Sequence, residues 1–172
     1  MAGLNPQTIG ATMPNGMAGS YARQPDMIIN TKAAGGEDNI PFGLALVYDE
    51  NKNVVLPATG STAAQFVGIA AREIKSSLVY LDQSVGQYAP GDAVPVFQRG
   101  SINVKCQNGT AAVGAPVYMR ITYNGTYPNA VVGGFEAVAD STNSVQLTNA
   151  QWAGPADANG IAELRLLTML NA

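Results

Sequence analysis

The sequence predicts an all-β fold: a single β-barrel or jelly-roll-like domain with an extended N-terminal arm. Three observations predict it. Short apolar runs recur at roughly ten-residue spacing, with Gly, Pro and Asn turns between them. Two of the runs, Ser101-Ile102-Asn103-Val104-Lys105-Cys106 and Ile161-Ala162-Glu163-Leu164-Arg165-Leu166, alternate apolar with polar as half-buried strands do. The opening segment holds neither a period of 2 nor one of 3.6. The organisation expected is an arm over residues 1–25 and a barrel or sandwich domain over 26–172.

Within the arm, Gly3, Gly10, Gly16 and Gly19 break any helix, and Pro6, Pro14 and Pro25 remove ladder donors. The first charged residue is Arg23. Leu4, Ile9, Met13, Met17 and Tyr21 punctuate the stretch, a poor composition for a freely solvated tail. Fully extended, some 22 residues span roughly 70 Å, enough to cross a neighbouring subunit. These five residues are therefore candidate interface residues.

From Asp26 onward the strands are expected in order. Met27 to Thr31 comes first, closed by the turn Gly35-Gly36-Glu37-Asp38-Asn39. Pro41 to Tyr48 follows, then the turn Asp49 to Asn53 and the short run Asn53 to Pro57. Gln65 to Arg72 alternates around Gly68, which points to a bulge or a close backbone approach. Ser77 to Tyr80 is a strand or connector. Pro90-Gly91-Asp92 marks a turn before Ala93 to Phe97, and Gln98-Arg99-Gly100 reads as a connector to Ser101–Cys106. After the Asn108-Gly109 turn, Pro116 to Ile121 forms a strand. Ala130 to Val138 carries the Gly133-Gly134 step, and Ile161 to Leu166 closes the set with Glu163 and Arg165 on the solvent face. Residues 62–71 and 139–152 fit either a helical turn or an extended loop. Trp152 falls in an uncharged stretch, 141–156. It reads as a core plug or, since tryptophan is enriched at binding hot spots, as an interface residue.

Composition narrows the function. Charged residues make up 12% of the 172-residue chain, about half the usual share. A surface so poor in charge must be solvated by neutral polar groups or covered by neighbours. With no histidine, the commonest general base and metal ligand is missing, along with every Ser–His or Cys–His nucleophile pair. Cys106 is the only cysteine and offers neither a disulfide nor a chelating pair. No GxxxxGK[ST] phosphate loop occurs. Glu37-Asp38 and Asp49-Glu50 are solvated turn acids, and Asp157-Ala158-Asn159-Gly160 lacks the other ligands of a calcium loop. The nine basic residues are scattered, so no nucleic-acid surface is expected. No apolar run is long enough for a membrane helix, and the N-terminus lacks the features of a signal peptide. A non-enzymatic subunit is expected, with no cofactor and no metal.

Some segments also resemble a known family when taken in order. They are Tyr88-Ala89-Pro90-Gly91-Asp92-Ala93-Val94-Pro95-Val96, Gly100 to Val104, Val113-Gly114-Ala115-Pro116-Val117-Tyr118, Gly133-Gly134, Ala150-Gln151-Trp152 and Gly160 to Leu166. In this order they are similar to the capsid cement, or head decoration, proteins of tailed bacteriophages, chiefly over 88–166. The resemblance implies a β-barrel subunit on the outside of the virion head. It would clamp neighbouring major capsid proteins and touch further copies of itself as a dimer or trimer. It implies synthesis in the host bacterial cytoplasm and brings no catalytic residues. Other readings are a tail or fibre component and a carbohydrate-binding β module.

Overall fold

The computed structural model describes residues 14–73 and 85–171. Eleven strands carry the fold among them: β1 (Tyr21–Ala33), β2 (Ile40–Pro41), β3 (Ala45–Tyr48), β4 (Val54–Val55), β5 (Phe66–Ala70), β6 (Gln87–Tyr88), β7 (Ala93–Lys105), β8 (Pro116–Arg120), β9 (Phe135–Glu136), β10 (Ser144–Trp152) and β11 (Ile161–Leu166). Nine strands form one sheet in the order β4-β3-β5-β7-β11-β10-β8-β9, with β1 also paired to β7, and β2 pairs with β6. Ser77 to Tyr80 lies outside the described residues.

Strand β7 is the spine. Its first half lies between β5 and β1, pairing Phe97 with Ile69 on one side and Ile29 on the other. Its second half pairs with β11, Ile102 opposite Leu164. Both ends of the sheet then curl back. Val54 of β4 is bridged to Ala34, directly after β1. Phe135 of β9 is bridged to Cys106, directly after β7. The result is two curled half-barrels sharing one strand.

Each half encloses its own apolar cluster. Leu46, Val54, Val67, Ala70, Val94 and Val96 fill the first, capped by Ile40 and Tyr88 of the small β2–β6 ribbon. The second holds Ile102, Val104, Val117, Met119, Phe135, Leu147, Trp152 and Leu164, and continues to Phe66, Ile69 and Phe97. Because β7 serves both clusters, its two faces are buried, and it reads as a nearly continuous apolar run at 94–97.

Several local expectations need correction. Gln98-Arg99-Gly100 is no connector, because β7 runs unbroken through it. Gly100 takes a φ of +109°, and a side chain there would sit 2.0 Å from the Asp26 carbonyl. Only glycine lets β1 cross the spine at that point. Residues 139–152 hold a single 3₁₀ turn (Ser141–Asn143) followed by a strand, β10, where an extended loop was the other expectation. Trp152 therefore ends a strand and is not in a loop. At Gly68 the close approach is real: a Cβ would lie 2.5 Å from the Phe97 carbonyl oxygen, and the β3–β5 register shifts beside it.

Candidate interaction surface

The described part of the arm is tied down before it reaches β1. Asn15 donates its N–H to Asp157 Oδ2 at 2.9 Å and its Nδ2 to the Ile161 carbonyl at 2.7 Å. Asn103 Nδ2 donates to the Asn15 carbonyl at 2.6 Å. Gly19 donates to the Asn103 carbonyl at 2.7 Å and accepts from Arg72 N–H at 2.8 Å. Gly19 has a φ of +82°, and a Cβ there would lie within 3.0 Å of the Gly43 nitrogen and the Ala70 carbonyl oxygen. These contacts fix the root of the segment across both half-barrels.

Asp157 is the anchor of that root. Oδ1 of its carboxylate also accepts the Asn159 and Ile161 N–H groups at 2.9 and 3.0 Å. Donation from Ile161 and Asn15, and then Asn159, holds this carboxyl below the usual aspartate range. Beside it Pro14, Met17, Ala18, Asn159 and Ile161 line a mostly apolar recess of about 510 Å³.

The candidate interface residues fall in different places. Leu4, Ile9 and Met13 lie outside the described residues. Met17 is exposed, at 57%. Tyr21 is half-buried, packs on the main cluster and stacks on Phe97 with ring centroids 5.8 Å apart. Its hydroxyl donates to Glu73, and burial, more than that contact, drives its pKa upward. Trp152 is fully buried within the core, out of a partner's reach in this conformation. Other large apolar side chains are exposed: Val113, Tyr123, Val131 and Val138 on connecting loops, and Leu167, Met169 and Leu170 after β11.

Sequence reasoning missed a buried ionic cluster. Arg120 and Glu136 are both fully buried, with Arg120 Nε 2.6 Å and Nη2 2.5 Å from Glu136 Oε1. Nη2 also lies 2.9 Å from Asp140 Oδ2, and Nη1 donates to the Thr122 carbonyl at 3.2 Å. The Tyr127 ring covers the guanidinium at 5.7 Å. Burial pushes the Glu136 carboxyl up, and the Arg120 charge opposes that. The alternation of β8 places Val117 and Met119 in the core and turns Arg120 to the opposite face. That face would be solvent but for the loop that carries Tyr127.

This cluster ties β8 to β9 and to the loop before β10. Among the described residues no three of His, Cys, Asp and Glu stand close enough to hold a metal ion. No helix among them is long and apolar enough to cross a membrane. Cys106 is isolated and half-buried, which pushes its thiol pKa up. Asp49 caps its own turn by accepting the Asn51 and Asn53 N–H groups at 2.8 Å.

The model of the structural cement protein family (E217 gp24/Pam3 gp6) matches residues 5–167. A search of curated protein sequences found no match. Among solved structures, a chain from "The capsid of Myoviridae Phage XM1" superposes with a TM-score of 0.67 at 16% identity. That match covers 99% of this chain and 98% of the other, so the two share a fold. With the family model spanning nearly the whole sequence, the chain belongs to the phage structural cement proteins.

Proposed function

We propose that this protein binds the outer surface of an assembled phage head and clamps neighbouring major capsid proteins, with copies of itself alongside. The observation that carries the reading is the family match over residues 5–167. Its synthesis belongs to the host bacterial cytoplasm and its working place to the virion exterior.

The physics of the chain supports the role. A cement recognises the lattice and not the loose subunit, so its binding free energy adds to shell stability by mass action. At a free concentration one hundred times Kd this is about 2.7 kcal/mol per site. A surface short of charge docks without desolvating ions, whose burial is costly. Leu4, Ile9, Met13 and Met17 belong to an uncharged stretch of sequence around the Asn15–Asp157 root, a composition suited to apolar contact with a neighbour. Rooting the segment at both Asp157 and Asn103 reduces the conformational entropy lost when it docks.

The test is retention on heads assembled without the protein. The full chain should bind them saturably, and deletion of residues 1–13 should weaken retention at least about tenfold, since several apolar contacts of about 1 kcal/mol or more each are removed. Equal retention of the truncated chain would remove the arm from the mechanism. No retention of the full chain would overturn the reading as a cement.

A further inference from the structure

Strand β1 changes register between Arg23 and Ile28, where Asp26 and Met27 cross over Gly100 of β7. Beside the crossing lies a recess of about 400 Å³. Pro25 and Asp26 line it from the crossing, Ser101 from β7, and Leu167 from the chain just after β11. Arg23 and Arg165 line it as well. Both are register partners of Ser101, one on each side of β7. Residues opposite one another on neighbouring strands send their side chains to the same face, so Arg23, Ser101 and Arg165 make one row across three strands. The contacts agree. Arg165 Nε donates to Ser101 Oγ at 3.2 Å. Arg23 Nε donates at 2.8 Å to Oε1 of Glu163, which precedes Arg165 by two residues on the same face of β11. The residue between the two arginines is small and buried, which leaves space above it.

The charges around this row do not cancel. Burial opposes ionisation of Glu163, yet hydrogen bonds from Arg23 and Ser101 hold its carboxyl below the usual glutamate range. Asp26, on the rim, pairs with Arg99 at 3.2 Å. Arg165 forms no ion pair among the described residues and meets only the neutral Ser101 hydroxyl. Three arginines thus share two carboxylates, in a chain whose net charge is −3. No hydrogen bond to another described residue engages the Nη groups of Arg23 or Arg165. A guanidinium donates in a planar fork that matches a carboxylate. Pro25 and Leu167 suit the carbon stem of a side chain and offer nothing to a free inorganic anion. Asn103, two residues beyond Ser101, holds the Asn15 carbonyl, so the recess and the arm root share one face of β7. The geometry points to this recess as the seat of an aspartate or glutamate side chain from a neighbouring protein of the head, held above Ser101 between the Nη groups of Arg23 and Arg165.

The inference rests on the cement reading and names the chemistry that the partner presents. Its test uses the full chain and two readouts. In the first, N-acetylglutamate methylamide is titrated in while NMR follows the arginine Nε–H resonances. Those of Arg23 and Arg165 should shift together and saturably, and the neutral N-acetylglutamine methylamide should leave them in place. In the second, retention is measured on heads assembled without the protein. Arg165→Gln should weaken retention at least about tenfold and Arg165→Glu further, since the latter sets like charges together. Arg165→Lys should recover only part, because lysine restores the charge without the fork. Thermal unfolding like that of the native chain shows that these variants fold. Arginine resonances that ignore the glutamate probe, or inorganic phosphate bound more tightly than it, would overturn the inference. So would heads that retain Arg165→Gln as well as the native chain, or a native dimer that Arg165→Gln dissolves, which would put the carboxylate on a second copy. Retention of the native chain decides the cement reading, and the difference between native and variant decides the inference. A native chain that binds the probe but no heads would overturn that reading and, with it, the assignment to a head protein.

Discussion

The second half-barrel and the β1 flank differ in how firmly the sheet holds them. In the second half-barrel the last strand, β9, is bridged back to Cys106, and Gln107 N–H donates to the Phe135 carbonyl at 2.8 Å. Its core holds the one tryptophan, and its outer face is covered by the loop over Arg120. On the flank, β1 changes register as it crosses β7, is bridged to Val54 only at its end, and keeps Met27, Ile28 and Ile29 just half-buried. A sealed region resists distortion. A region with broken register yields more easily, even where Met27 and Ile29 pack against the core. The contrast places the most and the least firmly packed parts of one small fold side by side.

Mutations in the sealed region should cost the most. Trp152→Ala removes the largest fully buried side chain and should destabilise by about 3–5 kcal/mol in denaturant unfolding. Trp152→Phe should cost much less, because the indole Nε1 is buried without a partner and phenylalanine removes that group. Arg120→Ala leaves the Glu136 carboxylate buried and unpaired and should cost about 3–5 kcal/mol. If either alanine variant unfolds like the native chain, the second half-barrel is not the stable region.

Where β1 crosses the spine the effect should be smaller but should reach both regions. Gly100→Ala places a methyl against the Asp26 carbonyl at a positive φ and should cost more than about 1 kcal/mol. Hydrogen exchange should speed up along β1 and remain slow in β10 and β11. Uniform loosening would erase the contrast between the regions.

The smallest effect belongs to the arm root. The Asp157 carboxyl is depressed in the folded chain, so its contribution is complete above the unfolded aspartate value of about 4. It is lost as pH falls through the lower, folded value. Acidification below pH 4 should therefore raise exchange at Asn15 before β10 responds, and Asp157→Asn should do so at neutral pH. Exchange at Asn15 that ignores both changes would show that the carboxylate does not hold the root.

Much of this was legible in the sequence where one physical rule acted alone. Ile161–Leu166 alternates because one face meets the core, and Gly68 marked a close approach that the Phe97 carbonyl fills. The sequence was misleading where two elements share a residue's surroundings. Gly100 looked like a break because its neighbours are polar, yet Gln98 is buried and hydrogen-bonded to Asn30. Arg120 and Glu136 sit in strand phases that ordinarily meet water, and only the long loop between β8 and β9 converts those positions to an interior. The crossing of β1 over β7 was beyond reach, since it depends on where Asp26 meets Gly100 in the folded chain.

The central claim is that the root and the β1 flank form the association face and the second half-barrel does not. Hydrogen exchange on the free and the head-bound chain tests it most directly. The account predicts new protection over residues 14–20 and 27–33 on binding, with β8, β10 and β11 unchanged. Protection confined to Val113, Val138 and the strands beside them, with 14–33 unaltered, would contradict it.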